Sequence, residues 1–140
     1  MIAPLTPLDF LARSARTWRD VVAVVDGDRR FTYAEFEDRV ARQAGALVAL
    51  CVLPGDRVAV LAPNGAMALE AHFAPMRIGA VVVMLNTRLA AGELAWILQH
   101  SGAKVLLVDP QTETSRSGFA APCDRRLNWA KGCCGGPDRV

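Results

Sequence analysis

The chain has 140 residues, of which 52% are hydrophobic and 21% are charged. This is the composition of one small globular domain and excludes disorder along the whole chain. A formal net charge of +2 produces no strong field, which argues against nucleic acid or an anionic membrane as the main partner. No apolar run approaches the roughly 20 residues of a membrane-spanning helix, and no secretory signal is visible, so we expect a cytoplasmic protein.

The spacing of apolar residues predicts alternating helices and strands up to residue 108. Helices are indicated by apolar residues that recur every three to four positions, and strands by β-branched or continuous apolar runs. In chain order, the predicted elements are a helix over 7–17, strands over 21–25 and 30–33, a helix over 33–50, a strand over 57–62, a helix after Gly65, a strand over 80–85, a helix over 89–100 and a strand over 104–108.

Local signals set several of these boundaries. Thr6 is a candidate N-cap for the first helix, and Thr32 with Glu35 forms a capping-box pattern at the start of the second. Asp26-Gly27 is a hairpin turn signal between the first two strands. Gly102 suits the left-handed position that ends the last helix.

The later strands and helices predict an α/β fold. Strand, helix, strand, helix, strand at even spacing is typical of a parallel sheet with right-handed crossovers. The three strands read as continuous apolar runs, the type that is buried on both faces of such a sheet. We therefore predict a partial parallel, Rossmann-like βαβαβ sheet with flanking helices, a small N-terminal hairpin and an irregular C-terminal tail.

The pattern changes after Pro110. Residues 1–110 contain eleven Lys/Arg and eleven Asp/Glu, whereas residues 111–140 contain five and three and show no sustained apolar period. We therefore assign residues 1–110 to the domain and interpret 111–140 as a disordered tail. Because the change is abrupt, we also hypothesise that the reading frame shifts near residues 110–112.

Motifs that carry chemistry are sparse. Neither a G-x-G-x-x-G pattern nor a phosphate-binding P-loop occurs. The loop over 62–65 precedes a helix N-terminus, where an anion could bind, but a turn capped by Asn64 is the simpler interpretation. His100, Ser101 and Asp109 have the residue types of a nucleophile set, yet no G-x-S-x-G surrounds Ser101.

Cysteines and histidines do not indicate a metal centre. Cys51 ends an apolar helical face and is interpreted as a small core residue. His72 is interpreted as an exposed or hydrogen-bonded histidine, since no second metal ligand lies one turn away. The tail contains no C-x-x-C and no histidine; its cysteines are Cys123, Cys133 and Cys134. We assign no catalytic, cofactor-binding or metal-binding residue.

Five stretches occur in a characteristic order and spacing. They are FTYAEF over 31–36, PGDRVAVL over 54–61, IGAVVV over 78–83, LNTRL over 85–89 and ELAWIL over 93–98. Together they resemble the N-terminal region of the AMP-forming acyl-CoA synthetases, the adenylate-forming ligases that include fatty-acid–CoA ligases. The resemblance covers residues 8–109 and departs at Met84, where the family usually has proline.

The resemblance implies a two-step ligase reaction. A fatty acid attacks the α-phosphate of Mg·ATP and gives an acyl-adenylate and pyrophosphate. The thiol of coenzyme A then displaces AMP from the acyl-adenylate, and a cationic and backbone cradle stabilises the charge on phosphorus. The full-length family uses ATP, Mg and coenzyme A. Its phosphate loop, downstream nucleotide motifs and C-terminal lysine do not occur in this chain, so no cofactor is expected here. We expect a truncated N-terminal piece that is inactive alone.

Two alternatives stay open. The chain could be a binding module that complements a separately encoded ligase chain, as a split enzyme. It could also be an independent nucleotide-binding α/β domain, although the missing glycine pattern counts against this. Apolar strand faces that the chain itself leaves uncovered predict association with a complementing ligase chain or with itself.

Overall fold

The computed structural model describes residues 6–109 and the backbone of residues 125–128. Its elements are α1 Pro7–Thr17, β1 Val22–Asp26, β2 Arg29–Thr32, α2 Tyr33–Ala49, β3 Arg57–Leu61, α3 Ala66–Arg77, β4 Val81–Met84, α4 Ala91–Ser101, β5 Val105–Val108 and β6 Arg125–Asn128. Each helix and strand predicted up to residue 108 is confirmed, with boundaries that move by a residue or two. Within the described residues, no helix combines the length and the apolar character needed to cross a bilayer.

The central sheet is parallel and has the strand order β4-β3-β5-β6. β1 and β2 form a separate antiparallel hairpin. The chain runs from β3 to β4 on one side and then crosses over to β5 on the other side of β3. The direction of strand order therefore reverses between β3 and β5, and the predicted α/β class is confirmed.

Within the described residues, helices cover the two faces of this sheet unequally. On one face, which we call the three-helix face, residues of α1, α2 and α3 pack against Val58, Val60, Val105 and Leu107. On the other, the single-helix face, α4 packs through Leu94 and Leu98 on the intervening residues of β3 and β5. Successive strand residues point to opposite faces, so β3 and β5 are buried on both sides, as their apolar runs predict.

Reciprocal hydrogen bonds begin the first two helices. The Thr32 hydroxyl accepts from the Glu35 N–H at 3.2 Å, and the Glu35 carboxylate accepts from the Thr32 N–H at 2.8 Å, which confirms the predicted capping box. Thr6 and Asp9 make the same arrangement at α1. Hydrogen bonds from the two threonines hold the pKa values of Asp9 and Glu35 below their usual range. Local sequence therefore fixes both helix starts.

The prediction that Cys51 lies in the core is wrong. Cys51 is exposed and has a φ of 59°, because the chain reverses direction as it leaves α2. Its carbonyl oxygen accepts a hydrogen bond of 2.8 Å from Lys104 Nζ. The backbone turn, rather than the helical face, decides where this side chain points.

β4 is not buried on both faces, contrary to the prediction. It lies at the edge of the sheet, where Val81 is 50% exposed and Met84 is 40% exposed. The apolar run correctly indicates a parallel strand. The apolar run does not show which strand forms an edge of the sheet, since that depends on the order in which the strands pair.

The expected irregular tail contains a strand. Residues 125–128 pair in parallel with β5, with Arg125 opposite Val105 and Asn128 opposite Val108. For these four residues the prediction is wrong, because pairing with a sheet edge uses backbone groups and needs no apolar period. Cys123, Cys133 and Cys134 lie outside the described residues.

Candidate functional site

The carboxyl ends of β3 and β5 are the place where a sheet of this type binds ligands, since the strand order reverses there. The loop over 62–65 follows β3, and Asp109 follows β5. A cavity of about 70 Å³ lies at this point, and we call it the switch-point cavity. Its lining residues are Asp26, Arg29, Pro63, Asn64, Gly65, Ala66, Met67 and Asp109.

Asp26 occupies the N-terminus of α3. Its Oδ2 accepts a hydrogen bond of 3.3 Å from the Ala66 N–H, and its carboxylate pairs with the Arg29 guanidinium. Gly65 is the N-cap residue and makes no side-chain cap, so the prediction that Asn64 caps this helix is wrong. The hairpin brings in a carboxylate from 40 positions earlier in the chain, which no local pattern could show.

This arrangement does not suit an ATP phosphate. The free N–H groups of a helix N-terminus attract anions, but here the protein supplies its own anion. Asp109 brings a second carboxylate to the cavity, against one arginine. The volume of about 70 Å³ is also far below the roughly 300–1,000 Å³ of a small-molecule site. The cavity is a junction between the hairpin, α3 and the sheet.

An open groove of about 330 Å³ adjoins this cavity. The outer side of the hairpin and α3 form it, through Val24, Val25, Asn64, Gly65, Ala68, Leu69 and His72. His72 is exposed, and its Nδ1 lies 2.7 Å from the Ala68 carbonyl oxygen. The interpretation of His72 as an exposed, hydrogen-bonded histidine is confirmed. Among the described residues, no carboxylate or second histidine lines the groove.

His100, Ser101 and Asp109 do not form a nucleophile set. The Ser101 hydroxyl donates to the Leu98 carbonyl oxygen at 3.2 Å. The His100 ring stacks on the exposed Trp96, with a centroid distance of 4.9 Å. Ser101 ends the helix that precedes β5, whereas Asp109 follows β5. Ser101 therefore lies at the amino-terminal ends of the strands, whereas Asp109 lies at their carboxyl ends.

The described residues contain no group of three or more His, Cys, Asp or Glu side chains placed to hold a metal ion.

The amino-terminal edge of the sheet contains a cluster of charges that the sequence did not reveal. Lys104 Nζ lies 2.8 Å from Asp56 Oδ2, and the hydrogen bond from Lys104 holds the pKa of Asp56 below its usual range. Arg57 Nε donates to the Ser101 carbonyl oxygen at 2.8 Å. These contacts tie the loops before β3 and β5 together, which is a structural role.

A buried ion pair joins α2 and α3. The Arg39 guanidinium contacts the carboxylate of Glu70, whose side chain is fully buried. Burial raises the pKa of Glu70, while the hydrogen bond and charge of Arg39 oppose the shift. The same guanidinium lies 4.6 Å from the centre of the Phe31 ring. Arg39 thus links the hairpin, α2 and α3 within the three-helix face.

Comparison with known proteins identifies the family to which this scaffold is similar. A family model described as AMP-binding enzyme matches residues 11–129, which include β6. Peroxisomal benzoate–CoA ligase of Arabidopsis thaliana is 39% identical over 110 residues, 79% of this chain and 19% of the relative. Feruloyl-CoA synthase of Amycolatopsis sp is 46% identical over 109 residues, 78% of this chain and 22% of the relative.

A solved structure agrees with the sequence matches. The fatty acyl CoA synthetase of Mycobacterium tuberculosis superposes with a TM-score of 0.76 at 32% identity, over 86% of this chain and 26% of that one. The chain thus spans about one fifth of the length of the curated relatives described above. By its parallel sheet, its helix order and these matches, the chain belongs to the AMP-binding enzyme family and corresponds to the N-terminal region of an AMP-forming acyl-CoA synthetase.

Proposed function

We propose that these 140 residues supply the N-terminal scaffold of an acyl-CoA ligase and form no acyl-CoA on their own. The observation that carries the proposal is the occupied helix N-terminus and the small volume of the switch-point cavity. The Asp26 carboxylate already caps α3, and the remaining volume is about 70 Å³. The Ala66 N–H is therefore already occupied, and the cavity is far smaller than a small-molecule site at the edge where a parallel sheet would bind a nucleotide.

The reaction that this scaffold serves is ATP-dependent activation of a carboxylic acid, followed by transfer to coenzyme A. Similar proteins are named for benzoate, ferulate and fatty acyl groups. These names support carboxylic acids as the substrate class, with fatty acids as one member and aromatic acids as another. ATP, Mg²⁺ and coenzyme A would be bound by the remaining parts of such a ligase.

The alternative of an independent nucleotide-binding domain has less support. The same cap and the same small volume count against it, together with the missing glycine pattern. Calorimetric titration of the purified chain with ATP and with NAD separates the two ideas. Absence of saturable binding supports the scaffold, whereas binding with a stoichiometry of about one would favour the independent domain.

Activity of the purified chain tests the proposal directly. The chain is incubated with Mg·ATP, coenzyme A and either benzoate, ferulate or a long-chain fatty acid, and acyl-CoA is measured by mass spectrometry. The Amycolatopsis feruloyl-CoA synthase serves as the positive control. We expect no acyl-CoA above the level without enzyme; turnover by the chain alone would overturn the proposal.

A further inference from the structure

The interface between α2 and α3 buries polar atoms that have no hydrogen-bond partner among the described residues. Gln43 is 1% exposed, and Glu70 is fully buried. Three of their side-chain atoms, Nε2 and Oε1 of Gln43 and Oε2 of Glu70, make no hydrogen bond to any described residue. Folded proteins seldom leave such atoms unpaired, because each gives up its hydrogen bonds to solvent when it is buried.

The three atoms belong to one strip of this interface. Near the start of α2, Glu37 accepts a hydrogen bond of 2.7 Å from Arg77 at the end of α3. Further along α2, Arg39 contacts Glu70, which lies nearer the start of α3, so the two helices run antiparallel. Gln43 follows Arg39 by one helical turn and lies on the same side of α2. Its amide therefore faces the part of α3 that contains Glu70.

The neighbouring side chains on these two helices do not supply the missing partners. Glu70 Oε1 accepts a hydrogen bond from Arg39 Nε, which leaves Oε2 unpaired. The Gln43 amide and Glu70 Oε2 are a matching donor and acceptor, yet they do not bond to each other. Every other side chain that is buried on α2 and α3 is apolar. Polar groups too far apart for a direct hydrogen bond are commonly bridged by water.

We infer that the interface of α2 and α3 binds a buried water molecule between the Gln43 amide and Glu70 Oε2. Water both donates and accepts, so it can donate one hydrogen to Glu70 Oε2 and accept one from Gln43 Nε2. A second water that donates to Gln43 Oε1 completes the pairing. Globular proteins contain about one buried water per 27 residues, so a domain of this size is expected to hold a few.

Water bound at Gln43 is detected by NMR on the full 140-residue chain labelled with ¹⁵N and ¹³C. Cross-relaxation between water and the Gln43 side-chain amide is recorded in the laboratory frame and in the rotating frame. Water that stays bound for longer than the protein takes to tumble gives cross peaks of opposite sign in the two experiments, whereas passing solvent does not. The matched control is the side-chain amide of Gln99, which is exposed on α4.

We expect cross peaks of opposite sign for Gln43 and not for Gln99. We also expect Gln43→Leu to lower the amplitude of water ¹⁷O relaxation dispersion by about one bound molecule, and Gln99→Leu to leave it unchanged. Circular dichroism verifies that both variants keep the fold. The inference is overturned if the wild-type Gln43 amide shows no long-lived water, a result that needs no variant to fold. Equal dispersion in the wild type and a folded Gln43→Leu variant would also overturn it.

Discussion

The two faces of the sheet are built from the same strands but differ in what they can enclose. Among the described residues, the three-helix face buries eighteen apolar residues and also the polar side chains of Gln43 and Glu70. In the same part of the chain, the single-helix face buries a cluster of eight apolar residues. A layer of three helices can thus surround an ion pair, whereas one helix covers only a strip of the sheet. Among the described residues, the single-helix face and the edge formed by β4 have the least cover.

The largest expected changes in stability come from shortening one buried leucine on each face of the sheet. Leu47 on α2 and Leu94 on α4 are both fully buried. Leu47→Ala should lower the free energy of unfolding by about 4 kcal/mol and Leu94→Ala by about 3 kcal/mol, since α4 has fewer neighbours and can relax into its cavity. Urea denaturation followed by circular dichroism measures both.

Leu69→Ala is the control for this pair, because Leu69 is 40% exposed on α3 and its loss should cost about 1 kcal/mol or less. A larger loss for Leu94→Ala than for Leu47→Ala would contradict the ranking of the two faces.

An intermediate effect concerns the cap that joins the hairpin to the three-helix face. Asp26→Ala removes the acceptor for the Ala66 N–H and the partner of Arg29, and should destabilise the chain by about 1 kcal/mol. Asp28→Ala, in the same turn, is the matched control and should be nearly neutral. Thermal unfolding of both variants measures the difference, and equal effects would show that the cap does not stabilise α3.

The smallest expected effect is a change in stability with pH that arises on the three-helix face. Burial raises the pKa of Glu70, so the folded state holds this proton more tightly than the unfolded state does. The stability from Glu70 is therefore complete below its unfolded pKa and decreases as pH rises through the folded pKa. Compared with wild type, Glu70→Gln should be relatively more stable at pH 7 than at pH 4.

Urea midpoints at both pH values test the sign of this effect. Glu37→Gln is the control, since Glu37 forms a partly exposed pair with Arg77. A Glu70→Gln variant that loses relative stability as pH rises would show that Arg39, rather than burial, dominates the pKa of Glu70.

Much of the site and part of the fold could not be predicted from the sequence, because the residues in contact are far apart along the chain. Arg39 meets Glu70 across 31 positions, and Asp26 meets Ala66 across 40. The predicted Asn64 cap of the helix after the loop over 62–65 was wrong for this reason, since the capping carboxylate comes from Asp26 in the hairpin. The predicted boundary at residue 110, the out-of-frame origin of the tail and the cytoplasmic location stay predictions.

The sequence by itself determined the type and order of the elements up to residue 108 and the starts of α1 and α2. These depend on contacts within about four residues, such as Thr32 with Glu35. Only the tertiary structure decided that Cys51 is exposed, that β4 is an edge and that residues 125–128 pair with β5. The periodicity of apolar residues indicates which side chains need burial. Strand order and chain reversals decide whether those side chains are buried.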